Sequence, residues 1–217
     1  MKEKVKKIIA LVLTFLMSIG CVQSYPMVSA LESDYEVYPN PHMMEYQDGS
    51  FDITSNVNIV YEDGIDEYTR DKLNEVLAIK KINATTSTEV KEDQTNILVG
   101  IKGSNQYVDQ YAGEHYTVKT SNLFDQLDSY LLKVDNGKIT VLGKDTDAAF
   151  YGLTSLYHIF KQLDGTNIRN FTMEDYANVA SRGFIEGYYG NPWSTTDRIK
   201  LMEWGGYYKL NSYFYAP

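Results

Sequence analysis

The spacing of apolar residues changes several times along the chain, and each change predicts a different element. From Tyr35 the segment "YEVYPNP" is extended and broken by prolines, "MMEYQDGSFDIT" reads as a hairpin turning at Asp48-Gly49, and "VNIVYE" reads as a further strand. The spacing then lengthens to three and four residues. In "DEYTRDKLNEVLAIKKI" Tyr68, Leu73, Val76, Leu77 and Ile79 fall near one face, with acids early and lysines late, which predicts a helix. "TNILVGI" is a short apolar run of the kind a covered sheet contains, and "YLLKVDNGKITVLG" predicts a second hairpin turning at Asn136-Gly137. In "DTDAAFYGLTSLYHIFKQL" Ala149, Leu153, Leu156, Tyr157 and Phe160 recur on a single stripe, a helix whose apolar face belongs to a core. "DGTNIRNFTMEDYANVAS" reads as a connecting segment.

After it the pattern restarts. "RGFIEG" is a strand, Ser194 is a candidate N-cap with Asp197 three residues on, "TTDRIKLMEWGGYYK" is a helix and "LNSYFYAP" is the next strand. A β-α-β succession with glycine and polar residues just past a strand's C-terminal end is how a (β/α)8 barrel starts, and barrels place their chemistry at those ends. The predicted fold is therefore an α+β N-terminal domain over residues 31–175, followed by the start of a (β/α)8 TIM barrel over residues 176–217.

Residues 1–30 do not belong to either unit. "MKEKVKK" is a basic n-region, "IIALVLTFLMSIG" is too short for a comfortable membrane span, and "VSA" ending at Ala30 is a small-residue cleavage signal, so an export signal and a secreted, extracellular protein are expected, with no membrane span after cleavage. The only cysteine, Cys21, lies in this segment, which leaves a mature protein that must be held by its core without disulfides. Such usage suits a bacterial exoprotein and makes the sequons at Asn83 and Asn170 irrelevant. The formal charge of −9 argues against nucleic acid as a partner, because phosphate binding needs a basic face. The 19 tyrosines suit sugar-stacking sites as well as ordinary half-buried strands.

At "RGFIEGYYGNPW" and "KLNSYFYAP" the sequence resembles glycoside hydrolase family 84, the β-N-acetylglucosaminidases that include O-GlcNAcases and bacterial enzymes often labelled hyaluronidases. The region before them resembles the small α+β domain that precedes the barrel of family 20 hexosaminidases, with "DAAFYGLTSLYHIF" similar to its final helix. The resemblance implies that the main-chain carbonyl of Gly187 accepts a hydrogen bond from a hydroxyl of terminal N-acetylglucosamine, where a residue without a Cβ allows close approach. It implies that Tyr189 lines the same pocket, that Tyr188, Asn191 and Trp193 buttress the turn, and that Pro192 fixes its exit. The partners implied are N-acetylglucosamine-containing glycans or glycoproteins, with O-GlcNAc proteins, mucin glycans and hyaluronan fragments all open.

Family 84 chemistry uses two adjacent aspartates, and the chain contains no Asp-Asp pair, so none of its residues is expected to be catalytic. The implied mechanism is retaining hydrolysis in which the substrate's own 2-acetamido oxygen attacks the anomeric carbon to give an oxazoline. Glu186 is a tempting general acid, but the resemblance gives it a structural role, through Arg182 or a backbone donor. The acidic pairs Glu62-Asp63, Asp66-Glu67, Glu92-Asp93 and Glu174-Asp175 read as solvated faces. His42, His115 and His158 have no metal-ligand spacing, and neither a metal nor a cofactor is expected. Two other readings stay open: an independent carbohydrate- or protein-binding module, and a family 20 β-N-acetylhexosaminidase. The chain as written is expected to be an N-terminal fragment without glycosidase activity, with Phe184, Ile185, Leu210, Phe214 and Tyr215 facing water.

Overall fold

The structure, a computed structural model, describes residues 34–187 and 190–215; the expected export signal, Tyr188 and Tyr189 lie outside the described residues. Strands β1 (Met43–Asp52), β2 (Asn56–Tyr61), β3 (Asn83–Ser87), β4 (Asn96–Ile101), β5 (Leu127–Asp135), β6 (Lys138–Gly143) and β7 (Asn167–Ala177) form one mixed sheet in the order β1-β7-β5-β6-β4-β2-β3. The β1-β7-β5-β6 half is antiparallel and the β6-β4-β2-β3 half is parallel. Helices α1 (Glu67–Ile79), α2 (Tyr107–His115) and α3 (Thr146–Gln162) cover it. Asp66 and Asp145 accept the backbone N–H of Thr69 and Ala148, both at 2.8 Å, which satisfies orphan donors at the starts of α1 and α3.

Strand alternation divides the sheet's side chains between two cores. Val57, Ile59, Ile97, Val99, Leu132, Val134, Ile139 and Val141 face the stripe Leu73, Val76, Leu77, Ala149, Leu153, Leu156 and Phe160 of α1 and α3. Their neighbours Val60, Leu98, Leu131 and Leu142 face Val108 and Ala112 of α2 and Leu123. The hairpin at Asn136-Gly137 forms as expected, with both residues at positive φ, 46° and 74°.

Several expectations need correcting. "MMEYQDGSFDIT" is one strand with an irregularity between Tyr46 and Ser50: Asn170 donates to the Asp48 carbonyl at 2.9 Å and Gly49 takes φ +94°, so Asp48-Gly49 makes a bulge where a hairpin turn was predicted. The presumed connector holds β7, which pairs with both β1 and β5. Tyr68 leaves the stripe of α1 and is 80% exposed. The acids are a solvated face only in part: Glu92 and Asp93 are exposed as expected, as are Asp63 and Glu67, but the other four are not free in water. Glu62, Glu174 and Asp175 are buried and Asp66 is a cap. Glu62 accepts from Ile101 N, Asp109 N and Ser104 Oγ, and Glu174 accepts from Lys119 N and Thr120 N.

The second unit is β8 (Gly183–Glu186), α4 (Thr195–Gly206) and β9 (Ser212–Tyr215). β8 and β9 are parallel, Gly183 opposite Ser212 at one end and Glu186 opposite Tyr215 at the other. Ser194 caps α4 as expected, accepting from Asp197 N at 3.2 Å and donating to its carboxylate at 2.7 Å.

Candidate functional site

The parallel register gives β8 and β9 a foot, at Gly183 and Ser212, and a head, at Glu186 and Tyr215. The foot is built into the α+β domain. Arg182 donates to Asp128 of β5 at 2.7 Å and to the carbonyls of Val179 and Lys209 at 2.7 and 3.1 Å. Lys209 is buried, with Nζ 2.8 Å from both the Tyr130 hydroxyl and Asp175. Burial alone would raise the Asp175 carboxyl, but the Lys209 charge and hydrogen bonds from Lys209, His42 and Tyr130 outweigh it and hold it below its ordinary value. Tyr207 stacks on Tyr157 at 4.8 Å, donates to Glu75, and lies 4.5 Å beneath the Lys72 ammonium. Gly183 is required by the closeness of β9: a Cβ there would fall 1.6 Å from the Ser212 carbonyl oxygen. The "RG" at the start of β8 thus has a physical reason in each residue.

A cavity of about 220 Å³ lies at this foot, lined among others by His42, Tyr130, Asp175, Arg182 and Lys209. Its charged groups are paired with one another, Asp175 with Lys209 and His42, and Asp128 with Arg182, as parts of the joint. The three histidines have separate surroundings: His42 Nδ1 is 2.9 Å from Asp175, His158 Nδ1 accepts from Tyr38 N at 3.1 Å, and His115 lies against Tyr111. Among the described residues no three His, Cys, Asp or Glu side chains come together as a metal site would need, and no helix is long and apolar enough to cross a membrane.

The head is different. Gly187 follows β8 directly and is exposed; Tyr189, expected beside it, is outside the described residues. Asn191, Pro192 and Trp193 are exposed, and what Trp193 contributes to the turn is its backbone N–H, donated to Glu186 at 3.3 Å. Glu186 is only 4% exposed. Of its two expected partners, Arg182 belongs to the foot and the backbone donor is that N–H of Trp193; the charged partner is Arg198 of α4, whose Nε and Nη2 donate to the two carboxylate oxygens at 2.7 and 2.8 Å. The Tyr213 hydroxyl of β9 donates to it too. Arg198, first by its hydrogen bonds and then with those of Tyr213 and Trp193, holds the Glu186 carboxyl down at about 2, against the opposing effect of burial. A carboxylate ionised across the working range of enzymes is no proton donor, in keeping with a structural role for Glu186.

Residues 34–176 match the sequence model of glycosyl hydrolase family 20, domain 2, and residues 182–217 match that of beta-N-acetylglucosaminidase. Over 85% of this chain the solved structure of CpGH84D superposes with a TM-score of 0.83 and 46% sequence identity. The chain belongs to glycoside hydrolase family 84. CpGH84B is similar as well, at 26% identity and a TM-score of 0.68 over 85% of this chain. A family 20 exo-β-N-acetylglucosaminidase from Vibrio harveyi, at 14% identity, a TM-score of 0.59 and 82% of this chain, shares the fold. The chain spans 31%, 30% and 25% of those three chains respectively. The family accounts for the order of the two units, a family 20-type α+β domain and then a β-α-β unit with its glycine-rich turn at the head. What sequence reasoning missed is Arg198, which sits four residues past the Ser194 cap with nothing in its spacing to tie it to Glu186.

Proposed function

We propose that this chain is the front of a secreted, retaining β-N-acetylglucosaminidase that removes terminal N-acetylglucosamine, with β8, α4 and β9 opening a (β/α)8 barrel. The observation that carries the reading is 46% identity to CpGH84D over 85% of the chain, with a glycine-rich turn at the strand head where such barrels act. In this reading the Gly187 carbonyl accepts a sugar hydroxyl and Tyr189 lines the pocket. The acetamido oxygen of the substrate attacks the anomeric carbon, the bond to the leaving oxygen breaks as an acid protonates it, and water opens the resulting oxazoline. The two aspartates of that chemistry are not among these 217 residues, which contain no Asp-Asp pair, so the chain's own part is to bind and orient the sugar. Residues 1–30 serve as the export signal, which N-terminal sequencing of the secreted protein at Leu31 checks.

The test compares two aryl glycosides with one leaving group. The full-length enzyme carrying this segment is expected to hydrolyse the N-acetylglucosaminide, to slow as the N-acyl group is fluorinated, and to leave the glucoside untouched. The 217-residue chain alone is expected to hydrolyse neither. Equal turnover of glucoside and N-acetylglucosaminide contradicts the reading, because it removes the acetamido group from the mechanism.

A further inference from the structure

We propose that Glu186, locked to Arg198, is the positioning residue at the head of β8, tying Gly187 to Trp193 and so holding the Gly187 carbonyl where it can meet a sugar. The inference rests on the reading above that this head faces N-acetylglucosamine.

A carboxylate offers about four lone-pair directions. At Glu186 four donors take them: the backbone N–H of Trp193, the Nε and Nη2 of Arg198, and the hydroxyl of Tyr213. The donors come from three different places, the far end of the turn, the first turns of α4, and the neighbouring strand β9. One buried side chain at the last residue of β8 thus joins both ends of the seven-residue stretch from Gly187 to Trp193. The guanidinium also meets the Tyr215 ring, its centre 4.9 Å from the ring centroid. The planar fork of arginine fixes the carboxylate's plane as well as its position, which a lysine cannot do. Burial separates the roles of adjacent residues: Glu186 is covered and cannot touch a ligand, while Gly187 is exposed and can. A contact residue held in place before binding does not have to be ordered by the ligand, and affinity rises for that reason.

The test has one arm that depends on sugar binding and one that does not. In the full-length enzyme, Glu186→Gln keeps the shape and removes the charge. It is expected to raise KM and the inhibition constant of N-acetylglucosamine-like inhibitors together by about tenfold, with kcat for an activated aryl glycoside within about threefold and the basic limb of the pH profile unmoved. Arg198→Met should act alike, and the double variant should be no worse than the poorer single one. A fall in kcat of about a hundredfold for poor leaving groups, with loss of the basic limb, overturns the proposal in favour of proton donation. In the 217-residue chain, Glu186→Ala is expected to speed chymotryptic cleavage at Trp193 by about tenfold while far-UV melting of the α+β domain stays put. Unchanged cleavage overturns the proposal whatever the enzyme acts on. If the full-length enzyme shows no N-acetylglucosaminidase activity, the functional reading fails while this second arm still decides the positioning. Should Glu186→Gln fail to fold, Tyr213→Phe removes a single donor and is expected to raise KM by about two- to fivefold; no change in KM counts against the proposal.

Discussion

β4 and β8 are both short parallel strands rich in apolar residues, "NILVGI" and "GFIE", yet they bury opposite kinds of side chain. β4 has β2 and β6 beside it and helices on both faces, and its residues from Asn96 to Gly100 are all buried. Among the described residues β8 has β9 alone beside it; Ile185 is 77% exposed while the charged Glu186 is 4% exposed. Burial is decided by partners. A carboxylate that receives four donors can be covered at little cost, whereas an isoleucine whose face of the sheet nothing covers stays in water whatever its hydrophobicity. The same holds along β9, where Phe214 and Tyr215 are 54% and 56% exposed, while Phe184 and Leu210 are half-buried beside α4 at Gly205. Of the five residues expected to face water, three do and two are partly covered.

The largest effect that can break this comparison is in the cores. Phe171→Ala on β7, wholly buried, is expected to destabilise the chain by about 3–5 kcal/mol, and Ile185→Ala to change stability by less than about 0.5 kcal/mol, both read by urea denaturation. Similar losses at the two sites would mean that β8 is covered after all. Next comes the foot. Asp175→Ala leaves Lys209 buried without its carboxylate and is expected to cost about 3 kcal/mol. Because the chain's two tryptophans, Trp193 and Trp204, both lie in the β8-α4-β9 unit, tryptophan emission should then report a transition separate from the one seen by far-UV circular dichroism. A single coincident transition would show that the foot does not hold the two units together.

The smallest effect concerns pH. The Glu186 carboxyl is held below its ordinary value, so the folded chain binds this proton less readily than the unfolded one. Its contribution is complete above about 4.5 and is lost as pH falls toward about 2. Tryptophan emission of the 217-residue chain is expected to titrate in that window and to lose the titration in Glu186→Gln. An identical titration in the variant would assign the change to other carboxylates, Asp175 among them.

Where a strand carries alternating or continuous apolar residues, as in β4, β5 and β6, the sequence announced it; so did the stripe of α3, and so did the Ser194 cap of α4. β7 was hidden because its buried positions include Thr172, Glu174 and Asp175, whose hydrogen-bond partners lie far away in sequence. A polar residue reads as solvent-facing until its donors are known. The same reason hid Glu62, and it hid the charged partner of Glu186: Arg182 is four residues away but lies before the start of the strand, at the foot, while Arg198 reaches the head from a helix. Asp48-Gly49 carried a turn signal that β7 converts into a bulge, since three residues of β1 stand opposite Asn170 alone. The position of Gly187 at a strand end was legible from the motif, and what fixes it there was not.

The central claim is that the exposed end of β8 is a sugar site whose contact is the backbone of Gly187. Isothermal titration of the full-length enzyme and its Gly187→Val variant with an N-acetylglucosamine-derived inhibitor tests it most directly. The account predicts that the added side chain intrudes where the hydroxyl meets the carbonyl, weakening binding by about tenfold or more at an unchanged melting temperature. Equal affinity in a normally folded variant would contradict it.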